Sequence, residues 1–334
     1  MMAIAASTET EIRPSSRPEV LPIALRDAVP GDHPALMALE GTAANAGAAM
    51  IQARTHFFAR TQAYPVARVL VAERGRSILG VLCVTLSSVR VGGEACEAGY
   101  IFNVRVEPSR QGHGLGPIMM EAATQWLEDQ GARYVTGLIK TTNVPSMKMV
   151  TRLGWEIVDR FDYLVLDLIR FPPDPQATAR PVSIWDDPVQ AAARFDSVFF
   201  HHFVPRRIDR ELFAPRAFGG YAGSGTASVA DGNAWLSLWD DRHQRGLDPR
   251  GFPALKAYDV TLQGPGGFRA FTALAGMLRT RGLRRLLMPV RLDDQARGLL
   301  APYTEEFVDF NYVVKPLNGA PTLPPGPVYF DVRH

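Results

Sequence analysis

The hydrophobic period of this sequence changes abruptly between residues 106 and 115, and that change most constrains the fold. Residues Ala98–Val106 read as a β-strand that stops at Pro108. Apolar residues then recur at the spacing of an α-helix, at positions 115, 118, 119, 122, 123, 126 and 127. Between the two lies the glycine-rich segment Arg110–Gly116, RQGHGLG. A strand that passes through a loop into a helix predicts a sheet with helices packed on it.

The same loop predicts an anion site. Glycine lets the backbone turn tightly and come close to a ligand. The first turn of the following helix has unpaired N–H groups and the positive end of the helix dipole. Together these features suit a pyrophosphate. The spacing is not G-x-G-x-x-G and no Gly-Lys-Ser/Thr follows, so neither the dinucleotide fingerprint nor the P-loop fits.

The length of 334 residues suits two domains of about 150 residues each rather than one core. We predict a loose tail at residues 1–20, a first domain at 21–170, a proline-rich linker at 171–182 and a second domain at 183–334. The second domain repeats the element order of the first but not its residues. The predicted fold class is α+β, with an α/β mixed sheet flanked by helices in each of two tandem domains.

Within the first domain the pattern predicts the order β-α-α-β-β-β-α-β-α-β-β. The second helix is placed at about Met50–Thr61, and the last two strands at Trp155–Asp159 and Phe161–Leu168. The second domain is predicted to begin with helices at Pro188–Phe199 and Asp209–Phe213.

Charge and cysteine content argue against several functional classes. The 36 basic and 34 acidic residues nearly balance, which gives no electrostatic case for nucleic acid. Cys83 and Cys96 are too few for a disulfide scaffold or a zinc site, so reduced thiols and a cytoplasmic location are expected. No run approaches the roughly 18 apolar residues that span a bilayer, and the start does not resemble a secretory signal. No membrane partner is therefore expected.

One cluster in the second half could suggest a metal, namely His201-His202 with Asp209 and Glu211. Adjacent histidines cannot easily face one ion from a helix, so no metal site is predicted. Neighbouring aromatic and basic residues are predicted to contact the first half or the substrate: Phe199, Phe200, Phe203 and the run Pro205-Arg206-Arg207.

Three blocks in the first half resemble the GNAT acyltransferase superfamily. Gln111–Gly116 is similar to its Gln/Arg-x-x-Gly-x-Gly/Ala signature, and Val104-x-Val106-x-Pro108 is similar to the strand that leads into it. Asn143-x-x-Ser146 and then Leu153-Gly154-Trp155 follow in the same order and at similar spacing as in the family. The resemblance covers about residues 21–168, and the second half resembles a degenerate copy.

The resemblance implies acetyl-CoA as co-substrate, with direct transfer of the acetyl group to an amine. Backbone groups of Val104 and Val106 would pair with the pantetheine arm. Asn143 would bind near that arm or near the substrate, and Ser146 would also belong to the cofactor site. The pyrophosphate would be held by the amides of Gln111, Gly112, His113, Gly114, Leu115 and Gly116. Other readings stay open: the two valines as core residues, Asn143 as a helix cap, and His113 as a solvent-facing spacer.

The catalytic residues depart from the family pattern. Many family members carry a tyrosine acid seven residues after the asparagine, where this chain has Val150. Ser146, water or another group would then protonate the thiolate. The candidates for the base are Tyr100 and Glu97, although a tyrosine pKa of about 10 makes a poor base without help.

The alternation of side chains along a strand tests these candidates for the base. It places Tyr100 and Phe102 on one face, and Glu97, Ile101 and Asn103 on the other. Tyr100 and Glu97 are therefore not expected to share a face, unless a bulge intervenes.

The second half has a similar loop at Gln263–Phe268, but Phe268 stands where glycine or alanine is expected and would crowd a phosphate. We therefore expect this half to be a structural or substrate-pocket partner. The acceptor is expected to be a small-molecule amine, and the chain a monomer or homodimer. The alternatives are a non-catalytic acyl-CoA-binding or regulatory protein, and an O-acyltransferase on the same fold.

Overall fold

A computed structural model describes residues 22–42, 56–172, 178–182, 203–205, 220–240, 254–291 and 294–328. The predicted tail, the predicted helices at Pro188–Phe199 and Asp209–Phe213, and the His201-His202 cluster lie outside the described residues.

The first half follows the predicted order of elements closely. Its strands are β1 (Ala24–Asp27), β2 (Val66–Arg74), β3 (Ser77–Val91), β4 (Glu94–Val106), β5 (Tyr134–Lys140) and β6 (Glu156–Asp167). Its helices are α1 (His33–Thr42), α2 (Leu115–Asp129) and α3 (Val144–Arg152). Of the helix predicted at Met50–Thr61, the described part forms short 3-10 turns at 57–59 and 61–63 instead.

The second half repeats this outline. Its strands are β7 (Thr178–Val182), β8 (Val204–Pro205), β9 (Gly220–Val229), β10 (Gly232–Asp240), β11 (Ala254–Gln263), β12 (Arg285–Val290) and β13 (Thr304–Pro316). Its described helices are α4 (Gly267–Thr280) and α5 (Asp294–Leu300). Residues 178–182, which the sequence placed in the linker, are strand β7. Pro181 is tolerated there because, among the described strands, β7 pairs with β9 alone and lies at the edge of the sheet.

The described strands of both halves join in one sheet, in the order β1-β2-β3-β4-β5-β13-β6-β12-β11-β10-β9-β7, with β8 added beside β3. The two halves exchange their last strands. β13 from the second half lies beside β5, and β6 from the first half lies beside β12. The two exchanged strands pair with each other along the middle of the sheet.

The prediction of two closing strands, at Trp155–Asp159 and Phe161–Leu168, is wrong, because these residues form the single strand β6. β6 pairs with β12 on one edge and with β13 on the other, so its backbone stays extended through Arg160. The irregularity that separates the two segments is a bulge near Val158, where the register with β13 shifts between Tyr312 and Val313.

Helices α2 and α3 share one core cluster with Ile101 and Val135, while α1 packs in another cluster with Tyr100 and Phe102. Since Ile101 alternates with Tyr100 and Phe102, these are opposite faces of the sheet. Helix α2 lies directly on β4: a Cβ added at Gly99 would come within 2.9 Å of Leu127 Cγ. This close packing fixes where α2 begins relative to the end of β4.

Both cysteines are free thiols. No helix among the described residues is long and apolar enough to cross a membrane.

Candidate functional site

The strands β4 and β5 separate part way along their length. Residues Ala98–Ile101 of β4 pair in parallel with Tyr134–Gly137 of β5, and the pairing stops there. Strand β4 nevertheless continues to Val106, and β5 continues to Lys140. Beyond Ile101 the edge of β4 that faces β5 is therefore open. A bound chain could hydrogen-bond along this edge as an added strand does.

A bulge lies at the point where the two strands part. Cys83 on β3 is opposite Phe102, and Val81 is opposite Arg105, so Leu82 opposes the two residues Asn103 and Val104. Asn103 has φ 53°, in the left-handed region that asparagine tolerates better than most residues.

The bulge reverses the alternation of side chains. Val104 and Val106 pack with the α2 cluster, as Ile101 does. Asn103 instead donates from Nδ2 to Cys83 Sγ at 3.9 Å, and Cys83 belongs to the cluster of Tyr100. The prediction that Asn103 shares a face with Glu97 and Ile101 is therefore wrong, because the extra residue shifts the pleat.

Two carbonyl groups at the open part of β4 are engaged by side chains. The carbonyl of Val104 accepts from Arg105 Nη1 at 3.0 Å, and that of Val106 accepts from Gln111 Nε2 at 3.0 Å. The side chains of Val104 and Val106 also pack partly against the α2 core, so their reading as core residues holds alongside any ligand role.

The glycine-rich loop ends in two left-handed glycines. Gly112 has φ 79° and Gly114, the N-cap of α2, has φ 83°. A Cβ at either would meet nothing within 4 Å, so the backbone conformation, not space, favours glycine here. His113 is exposed and its Nδ1 lies 2.9 Å from the Gln111 carbonyl oxygen. This placement agrees with its reading as a solvent-facing spacer.

The amides of this loop after Gln111 form a set of available donors. The Gln111 amide, which was also predicted to hold the pyrophosphate, instead donates to the Pro108 carbonyl at 3.3 Å. Within the described part of the chain, the N–H groups of Gly112, His113, Gly114, Leu115 and Gly116 donate no hydrogen bond. The loop from 110 to 114 is exposed, while the Leu115 side chain is buried in the core. Exposed donors at the start of a helix have the chemistry of an anion site.

Glycine is required at position 116 for a different reason, which is the space available to a side chain. A Cβ there would lie 3.1 Å from Met149 Sδ on α3. The glycine thus lets the starts of α2 and α3 approach each other. Because these helices follow the C-terminal ends of two parallel strands, both begin at the same edge of the sheet, on either side of the opening.

Asn143 caps helix α3, as one of the open readings supposed. Its Oδ1 accepts from the Ser146 amide at 3.2 Å. Asn143 is exposed and Ser146 half-buried, so both lie at the mouth of the opening. Val150, one turn further on, is 2% exposed and belongs to the α2–α3 core. It offers no proton donor.

Glu97 is not brought to this opening. It lies near the start of β4, where its carboxylate accepts from Ser88 Oγ and its carbonyl from the Arg133 amide. Six residues of strand, about 20 Å, separate it from Asn103. The structure therefore separates Glu97 from Tyr100, Ser146 and the loop.

Tyr100 lies three residues before the bulge, on the face opposite α2. Its ring stacks on Phe102 with centroids 5.2 Å apart. Arg60, from the 3-10 turns that follow α1, donates from Nη2 to Tyr100 Oη at 3.2 Å and lies 4.3 Å over the Phe102 ring. Arg60 has no local sequence signal of this role, since it meets Tyr100 from forty positions away in the chain.

The second half also reaches this face of the first half. Phe203 is buried with φ 60° and packs its ring on Tyr134 and Tyr312. The short strand after it pairs with β3, Pro205 opposite Val89. The contact predicted for this region with the first half is confirmed for Phe203 and Pro205; the rest of the predicted cluster lies outside the described residues.

The second half repeats the splayed strands but closes its loop. β11 and β12 pair in parallel only at 254–256 with 285–287, and Leu236 opposes two residues of β11, as at a bulge. The turn of the β9–β10 hairpin fills the loop that follows. A Cβ on Gly232 would come within 2.7 Å of the Gln263 carbonyl, and the Gly266 amide donates to the Asp231 carbonyl at 3.3 Å.

Phe268 does not crowd this loop from outside. It packs partly buried in the α4 core, with its ring 5.9 Å from that of Tyr303. The Asp231 side chain instead lies against Gly266, with Arg269 4.0 Å away. The donors that would meet a phosphate are thus covered by backbone and a carboxylate of the same chain.

The first half thus combines splayed parallel strands, a bulge, and a glycine loop that opens a helix. Residues 39–155 match the family model of the acetyltransferase (GNAT) family. This match, together with the fold, supports membership of the first half of the chain in the GNAT superfamily.

Two curated proteins are similar in sequence. "Acetyl transferase GW6a" of Oryza sativa subsp. japonica is 25% identical over 219 residues, 59% of this chain and 49% of that protein. "Mycothiol acetyltransferase" of Catenulispora acidiphila is 28% identical over 85 residues, 25% of this chain and 27% of that protein. The matches thus span about half of the rice protein and about a quarter of the bacterial one.

Solved structures share the fold at low identity. A tandem GNAT protein from the clavulanic acid biosynthesis pathway matches with a TM-score of 0.58 and 12% identity, over 88% of this chain and 98% of that one. A GCN5-related glucosamine N-acetyltransferase region of a fungal β-N-acetylglucosaminidase matches with a TM-score of 0.60 and 12% identity, over 88% and 38%.

No group of three or more histidine, cysteine, aspartate or glutamate side chains among the described residues is arranged to hold a metal ion.

Proposed function

We propose that this protein transfers the acetyl group of acetyl-CoA directly to an amine of a small molecule. The observation that carries the proposal is the continuity of two features. The open edge of β4, from Phe102 to Val106, leads into a loop in which the amides of Gly112 to Gly116 have no protein acceptor within the described residues. A ligand with an amide-bearing arm and a pyrophosphate matches both.

The loop residues fit the pyrophosphate. The donors of Gly112 to Gly116 lie at the N-terminus of α2, where the helix dipole favours negative charge. Pro117, which follows them, has no N–H to leave unsatisfied. The exposed position of the loop lets the anion bind without burying charge deeply.

The pantetheine arm fits the edge of β4. The carbonyls of Val104 and Val106 accept from the side chains of Arg105 and Gln111, which a bound amide arm would replace as donors. Asn143 and Ser146 lie across the opening at the start of α3. The Asn143 amide nitrogen stays available there while its oxygen caps the helix.

The chemistry needs three services from the protein. A donor must stabilise the thioester oxygen as it becomes negative, and the backbone N–H at the bulge near Val104 suits this role. A base must take a proton from the amine, for which Tyr100 is our candidate, since Glu97 lies too far away. The thiolate must gain a proton from Ser146 or water, because Val150 carries none.

The second half serves as a structural and pocket-forming partner in this proposal. Its own loop is filled by Asp231 and Gly232, whereas Phe203 and β13 reach into the first half. We therefore expect one acetyl-CoA per chain. The near balance of charge supports a small-molecule acceptor over a nucleic acid, and we propose a monomer or homodimer in the cytoplasm.

The test is a thiol-release assay with acetyl-CoA over a panel of amines, using the full chain, with calorimetric binding of acetyl-CoA measured in parallel. The proposal expects binding together with turnover on at least one amine. Binding without turnover would favour the non-catalytic acyl-CoA-binding alternative. That alternative is motivated by Val150, which stands where many family members carry a tyrosine acid. Turnover only on alcohols would favour the O-acyltransferase alternative.

A further inference from the structure

The contact between Arg60 and Tyr100 joins two parts of the first half. Arg60 stands on the 3-10 turns after α1, and Tyr100 stands on β4 just before the strands part. Arg60 Nη2 donates to the phenol oxygen at 3.2 Å, and the guanidinium lies over the faces of Tyr100 and Phe102. Among the described contacts, two aromatic faces and the hydrogen bond to Tyr100 position the guanidinium.

The pair is poorly solvated, which makes its electrostatics strong. Tyr100 is only 6% exposed and Arg60 is half-buried. Burial acts to lower the pKa of Arg60, but the neighbouring phenols of Tyr100 and Tyr64 outweigh it and raise that pKa. The coupling is mutual, because a guanidinium that donates to a phenol oxygen stabilises negative charge on that oxygen.

Few other titratable groups of the described residues surround the phenol. The turns at 56–64 bring Tyr64 and Arg60, and β3 brings the thiol of Cys83. Helix α1 packs Leu36 and Leu39 here, with His33 and Glu40 at either side of them along the helix. Strand β5 contributes Thr136, whose hydroxyl donates to the Gly99 carbonyl. Among the described residues, Arg60 is thus a cation in direct contact with the phenol.

We propose that Arg60 is a positioning residue that holds Tyr100 as a phenolate ready to accept the proton of the attacking amine. The idea rests on the proposed function. As the N–C bond forms and the C–S bond breaks, the amine proton passes to the Tyr100 oxygen. The thiolate takes one proton from solvent, and Tyr100 returns its proton to solvent, so protons balance over the cycle. Arg60 thereby supplies the help that an ordinary tyrosine base lacks.

The first test reads the phenol itself and does not depend on activity. The full chain is labelled with ¹³C at tyrosine Cζ and titrated by NMR, and the Tyr100→Phe variant assigns the signal among the nine tyrosines. In Arg60→Met the stem over Phe102 is kept but the charge is lost. We expect the Tyr100 titration to move upward by roughly one to two pH units, the ten- to hundredfold change typical of a hydrogen bond to a charged group.

The second test reads catalysis. With the best amine, the acid-side limb of the kcat/KM profile, where activity rises as the base loses its proton, should move to higher pH in Arg60→Met by the same amount as the NMR titration. Arg60→Lys keeps the charge without the planar fork, so its limb should lie at a pH between those of the wild type and Arg60→Met. This variant replaces Arg60→Met in the test if Arg60→Met does not fold. Tyr100→Phe should lose this limb, and adding Arg60→Met to it should change nothing more.

Each failure has a distinct meaning. An unshifted Tyr100 titration in Arg60→Met overturns the proposed coupling. A shifted titration with an unshifted kcat/KM profile overturns the role of the phenolate in catalysis. A wild-type chain that turns over no amine refutes the proposed function instead, while the NMR titration still decides whether Arg60 stabilises the phenolate.

Discussion

A carboxylate placed at Gly114 should remove acetyl-CoA binding and leave the fold intact. Gly114 is the N-cap of α2 with φ 83°, and a Cβ there meets no atom within 4 Å. In Gly114→Asp the left-handed backbone costs about 1 kcal/mol. An N-cap aspartate that accepts from the first-turn amides returns a similar amount. The free energy of unfolding should therefore change by less than about 1 kcal/mol.

The effect on the ligand should be much larger. The new carboxylate would compete for the amides of Gly112 to Gly116 and repel the pyrophosphate. Each lost hydrogen bond to a charged group is worth about 1.5–3 kcal/mol, so losing two weakens binding by at least about a hundredfold. Calorimetric titration of acetyl-CoA measures the loss. Acetyl-pantetheine, which lacks the pyrophosphate, should bind Gly114→Asp as it binds the wild type.

The matched control is Gly131→Asp, just beyond the other end of α2. Gly131 also has a positive φ, 78°, with open space at its Cβ position. This variant should bind acetyl-CoA normally. Unchanged affinity in Gly114→Asp, or an equal loss in Gly131→Asp, would refute the assignment of the loop. An equal loss with acetyl-pantetheine would show that the change acts on more than the pyrophosphate.

Three further results are expected. Native mass spectrometry should show one acetyl-CoA per chain, and two bound ligands in the wild type would contradict this. Asp231→Asn should not create a second site, because the backbone of Gly232 still fills the loop of the second half. Asn143→Ala should lower the free energy of unfolding by about 0.5–2 kcal/mol through loss of the α3 cap, with Asn143→Ser restoring most of it in denaturant titrations. Burial and then the hydrogen bond with Asp309 raise the pKa of Asp162 to about 6 against the opposing charge of Arg297, so the folded chain binds this proton more tightly than the unfolded chain. The resulting stability, at most about 3 kcal/mol, should be present below about pH 4 and lost as pH rises to 6, whereas Asp162→Asn should show no such slope beyond that of its other groups.

The parts of the site that depend on local sequence could be predicted. Gly112 and Gly114 indicate a loop, because glycine readily adopts the left-handed conformations found there. The helical spacing of apolar residues from Leu115 onward can be recognised without any distant partner. The cap of α3 by Asn143 is also local. These features fix where the proposed anion site lies.

The rest depends on contacts between distant residues. The bulge at Asn103 follows from pairing with β3, and strand alternation alone gave Asn103 the wrong face. Arg60 meets Tyr100 only after α1 and its following turns fold over the sheet. The exchange of β6 and β13 has no local signal, because either strand could have paired within its own half with the same pattern of apolar residues.

The exchange of last strands has a consequence for how the chain is made. Between β5 and the strand that covers its edge, residues 141–303 must first be synthesised. Until β13 emerges from the ribosome, β5 presents unpaired backbone groups, the kind of edge on which chains stick together. The first half thus cannot finish folding in the order of its synthesis, and a chaperone that shields this edge would raise the yield of active protein.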